Sequence, residues 1–137
     1  MSDRRQEWFN QIVRGFHAQN WQPSYDKEQG ACQYRGPDGV KCAVGHVISD
    51  EAAAILDPKA IGLGNLKYQD TLDDEAVYTL DDLGLGKITE EEYRFLSNIQ
   101  SSHDECALFS AQWHLLRQAM ESFGRFHNLT WPEDVPR

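Results

Sequence analysis

At 137 residues, with 40% hydrophobic and 26% charged side chains, the chain has the size and apolar content of one domain with its own core, and global disorder is not expected. A net charge of −9 argues against direct nucleic-acid or anionic-membrane binding, which needs a basic footprint. No stretch approaches the ~20 apolar residues of a membrane span and no apolar signal core opens the chain, so a cytoplasmic protein is expected.

Trp8, Phe9, Ile12, Val13 and Phe16 form one stripe at helical spacing, which predicts a first helix over Arg4 to Gln19 capped by Ser2 or Asp3. Asn20 to Gly30, with Pro23, reads as a loop. Two alternating runs then flank Pro37-Asp38-Gly39, a type I turn closed by a glycine in the left-handed region, and predict a β-hairpin. Pairing Gly36 with Val40 places Tyr34 opposite Cys42 and Cys32 opposite Val44 on one face, with Gln33, Arg35 and Lys41 on the other.

Ser49 to Leu56 reads as a short helix capped by Ser49 or Asp50 and closed before Pro58. Val77, Leu80 and Leu83 predict a further short helix within 73–83, ended by Gly84. Thr89-Glu90-Glu91-Glu92 is a capping box, and behind it helical spacing runs through Tyr93, Leu96, Ile99, His103 and Cys106 to Phe109, Trp113, Leu116, Met120 and Phe123. That tract fits one long helix or two. The expected fold class is α+β: a mostly helical single domain over 1–128 with one β-hairpin packed against N- and C-terminal helices, followed by a tail over 129–137.

The run Cys32-x-Tyr34-Arg35-Gly36-x-x-Gly39-x-Lys41-Cys42-Ala43-x-Gly45, followed by Ile99-Gln100-x-x-His103-Asp104, resembles a family of small uncharacterised proteins of bacteria and their phages. The likeness implies a phage or prophage setting, hence a host cytoplasm, and no activity. The position of His46 is often Cys or Ala in that family.

Three residue sets could carry function. Between Asp70 and Glu92 stand nine acids, Asp70, Asp73, Asp74, Glu75, Asp81, Asp82, Glu90, Glu91 and Glu92, against the single base Lys87, so this stretch holds −8 of the total −9. With Val77, Leu80 and Leu83 interleaved, it suits a surface that steers toward a basic protein and then docks, its carboxylates standing in for nucleic-acid phosphates. The expected function is therefore a non-enzymatic, nucleic-acid-mimicking inhibitor or modulator of a basic host protein, such as a defence nuclease. The alternative is a zinc or thiol protein on Cys32, Cys42, His46, His103 and Cys106, in which His103 and Cys106 lie three apart on a helix. The three cysteines, in a chain with no export signal, read as reduced thiols, either core or ligands. A Cys42-His103-Asp104 nucleophile arrangement is disfavoured because neighbours on a helix point about 100° apart. Arg35 reads either as an anion fork or as the partner of an acid.

Overall fold

The computed structural model describes residues 4–24, 34–36, 39–56, 89–109 and 113–136. The proposed caps Ser2 and Asp3, Cys32, the Pro37-Asp38 pair, the helix expected over 73–83 and the acidic stretch 70–88 lie outside these residues.

The described fold is helical: α1 over Arg4–Ala18, a 3-10 turn over Val44–His46, α2 over Asp50–Leu56, α3 over Glu90–Phe109 and α4 over Trp113–Phe126. The long C-terminal tract is thus two helices, and these pack against each other. The stripe of α1 is buried as its spacing requires, with Phe9, Ile12, Val13 and Phe16 fully enclosed and Trp8 nearly so. It meets α3, α4 and the 3-10 turn. Phe9 stacks on Phe123 of α4, and Trp8 stacks on Phe95 of α3. Gly124 allows α4 to approach, since a Cβ there would meet the Phe9 ring.

The α+β expectation is corrected. Among the described residues there is no β-strand and no hairpin, only one isolated antiparallel bridge between Arg35 and Lys41, beside the Gly36 amide donating to the Val40 carbonyl at 2.8 Å. Gly39 does take a left-handed φ of 79°. Pairing stops because the chain beyond Cys42 curls into the 3-10 turn, with the amides of His46 and Val47 donating to the carbonyls of Ala43 and Val44. The Arg35 guanidinium donates to the carbonyls of Tyr34, Gly45 and Ile48, and to Asp50 at the start of α2. These side-chain bonds tie the segment after Cys42 into a curl, where the alternation of Val40, Cys42 and Val44 had suggested a strand.

The starts of α2 and α3 follow the capping chemistry of the sequence. Ser49 Oγ accepts from the Ala52 amide at the start of α2. At α3, Thr89 Oγ1 accepts from the Glu92 amide at 3.1 Å while Glu92 accepts from the Thr89 amide at 2.8 Å, the reciprocal pair of a capping box.

Residues 129–136, within the stretch read as a tail, lie against α1. Trp131 and Val135 are buried, Trp131 stacks on Trp21 and meets the edge of Phe9, and its indole N–H donates to the Val135 carbonyl. Gln6 of α1 bonds both the amide and the carbonyl of Thr130, and Arg14 forks onto Asp134. No helix among the described residues is long and apolar enough to cross a membrane.

Candidate functional site

The two sequence motifs meet where α3 crosses the 3-10 turn. Gln100 Oε1 accepts from the Val44 amide at 2.9 Å, and its amide nitrogen donates to Asp104 one helical turn on, at 2.8 Å. Asp104 also lies 3.0 Å from Nδ1 of His103, and Nε2 of His103 accepts from the Ser24 amide at 2.9 Å. A ring nitrogen that accepts from an amide carries no proton, so Nδ1 holds it and donates to Asp104. The angular argument against this pair is therefore corrected: one carboxylate, reaching back along the helix, bonds its neighbour's ring.

His103 is fully buried, its ring stacked on Phe16 at 5.7 Å, while the ring of His46 meets the same Phe16 edge-on at 5.0 Å. Gly15 makes room for His46, because a Cβ there would collide with that ring. Burial pushes His46 down to about 3, with the positive charges of Lys41 and Arg35 adding to it, so the ring is neutral. Its Nε2 has no partner among the described residues.

Of the soft-ligand set, Cys42, His46, His103 and Cys106 are described. Cys42 is buried, with Sγ accepting from the Gly45 amide at 3.3 Å. Cys106 is half-buried on the side of α3 that lines a groove with Ala119 and Ser122 of α4, and burial together with Glu105 pushes its thiol up. Both ring nitrogens of His103 are engaged. Among the described residues no group of three or more His, Cys, Asp or Glu could hold a metal ion, and Cys32 lies outside them. Chemically, the Gln100-His103-Asp104 arrangement is a lock: it satisfies two backbone amides, of Val44 and Ser24, that folding removes from water.

Of the acidic set, Glu90 and Glu91 are described, both exposed at the start of α3, with Glu92 half-buried beside them. Glu90 pairs with Arg94 at 2.9 Å, Glu91 with Arg5 at 3.4 Å and Glu92 with Arg4 at 3.6 Å. Asp70, Asp73, Asp74, Glu75, Asp81 and Asp82 lie outside the described residues. Of its two expected readings, Arg35 takes that of an acid's partner, and it clamps backbone besides. Its 2.7 Å contact with Asp50 holds that carboxyl below its ordinary value, and its other donors clamp backbone.

The signal for the lock was present as Gln100 and Asp104 at i, i+4, a hydrogen-bonding pair on one helix face. The amides of Val44 and Ser24, far away in sequence, left no such trace. No protein-family model, curated protein or solved structure matches this chain.

Proposed function

We propose that this is a non-enzymatic binding protein whose acidic flank occupies the basic, nucleic-acid-binding surface of another protein and so inhibits or modulates it. A phage-encoded protein acting on a host defence nuclease fits this reading. The observation that carries it is the concentration of charge: −8 of the net −9 falls between Asp70 and Glu92. Such a density steers a basic partner inward and disfavours acidic ones. The pairs made by Glu90 and Glu91 do not block docking, because exposed ion pairs contribute little and exchange readily for a partner's arginines. The engaged nitrogens of His103 and the buried, amide-bonded Cys42 support a structural role for the Cys/His residues.

The test is competition. Purified chain is immobilised and exposed to basic DNA-binding proteins, nucleases among them, with and without duplex DNA. Binding that duplex DNA displaces agrees with a flank that substitutes for phosphates. Binding that excess duplex leaves untouched contradicts it.

A further inference from the structure

Residues 129–136 dock on α1 through contacts that do not require both sides to belong to one chain. Gln6 grips main chain, its Oε1 accepting from the Thr130 amide and its Nε2 donating to the Thr130 carbonyl, both at 2.9 Å. Trp131 packs on Trp21 and Phe9, and Val135, whose carbonyl accepts from that indole, is buried with it. Arg14 forks onto both carboxylate oxygens of Asp134. An open trough of about 480 Å³ runs beside these grips, past Asn10, Pro132 and Glu133, so the segment is an arm laid along the helix.

What joins this arm to the body is a two-residue turn. α4 stops at Phe126, where the Leu129 amide donates to the Gly124 carbonyl at 2.8 Å and the Asn128 amide to the Arg125 carbonyl at 3.3 Å, the pair of bonds that ends a helix on a left-handed residue. Asn128 is that residue, with a φ of 57° and an exposed side chain. Asparagine tolerates the left-handed region without being bound to it. With Asn128 in the right-handed region, α4 continues past Phe126 and carries the arm off its own α1. A hinge this short does not loop the opened arm back, whereas α1 of a second copy presents the same Gln6, Arg14 and aromatic site. Exchange of an identical element is a low-cost route to a dimer, and short hinges favour it.

We infer that residues 129–136 are an exchangeable arm through which two copies of the chain form a dimer, each docking its arm on α1 of the other with Asn128 as the hinge. Closed monomer and exchanged dimer bury the same arm contacts, so the hinge and the concentration set the balance. The test uses the Arg14–Asp134 fork. In Arg14→Asp alone two acids oppose each other, and in Asp134→Arg alone two arginines do, whether the arm is closed or exchanged between identical copies. In a 1:1 mixture, exchange between unlike copies sets Asp134 of the first on Arg14 of the second and the introduced arginine on the introduced aspartate. Wild type, Asn128→Ala, Asn128→Gly, both charge variants and the mixture are refolded from urea at high concentration and sized by gel filtration with light scattering. Thermal melts check that each variant folds, since all three positions are exposed. The mixture forms a heterodimer with a Kd about tenfold below that of either component. Asn128→Ala, which disfavours the left-handed hinge, shifts the chain toward dimer, and Asn128→Gly shifts it toward monomer. A mixture that stays monomeric, or that dimerises no better than its components, overturns the inference.

Discussion

Gly39 and Gly45 sit six residues apart, and their substitutions separate two kinds of backbone constraint. A Cβ at Gly45 would run into the Tyr34 carbonyl, which is main chain and held by Arg35. At Gly39 a Cβ meets open space, but φ is 79°. Gly39→Ala should cost about 1 kcal/mol through strain alone, and Gly45→Ala should cost more, about 2–4 kcal/mol, because main chain must move. Urea unfolding of the two variants checks the order. The His46 ring adds a pH dependence. Its folded value of about 3 lies below its ordinary 6.5, so the unfolded chain takes up a proton that the folded chain refuses. Its contribution is complete above pH 6.5 and is lost as the pH falls toward 3, amounting to about 2 kcal/mol by pH 5. His127, also lowered chiefly by burial, acts in the same direction. Urea midpoints at pH 7 and pH 5 should draw apart in the wild type and draw apart less in His46→Gln.

Elements differ in how far their sequence announces them. The stripe of α1, the capping box of α3 and the Ser49 start of α2 depend on contacts within a few residues, and each could be read directly from spacing. The hairpin could not. Alternation through Val40, Cys42 and Val44 is as consistent with one bridge and a 3-10 turn as with a strand. What decides between them is Arg35 reaching the carbonyls of Gly45 and Ile48, a contact between positions that no local pattern links. Residues 129–136 pose the same problem. Trp131 and Val135 fall among prolines and acids with no period, and their burial depends on Phe9, Trp21 and Gln6, more than a hundred residues away. Thr89→Ala should lower stability by about 1 kcal/mol through loss of the cap. Trp131→Ala should lower it by about 3–5 kcal/mol, since it empties a site between α1 and the C-terminal segment. Thermal melts distinguish a docked segment from an independent one: a tail would tolerate Trp131→Ala unchanged.

Across the whole molecule, apolar and polar organisation divide the work. A continuous aromatic core joins α1, α3, α4 and the C-terminal segment, and the Gln100-His103-Asp104 lock fastens α3 to the loop before the first motif and to the turn that ends it. With both ring nitrogens of His103 and the Sγ of Cys42 hydrogen-bonded within the fold, melting of the purified chain should be the same with and without chelator. A metal-organised fold would instead lose its transition on chelation. On the proposed reading, function is legible only as charge: composition and position along the chain locate the acids, whereas the surface that would receive them belongs to another molecule. The measurement that bears most directly on this account is the affinity of the chain for a basic DNA-binding partner, before and after Asp73, Asp74, Asp81 and Asp82 are changed together to Lys. A loss of tenfold or more, about 1.4 kcal/mol, in a variant that still melts cooperatively is the predicted result. An affinity unchanged by reversing four charges would contradict the account and place binding elsewhere on the chain.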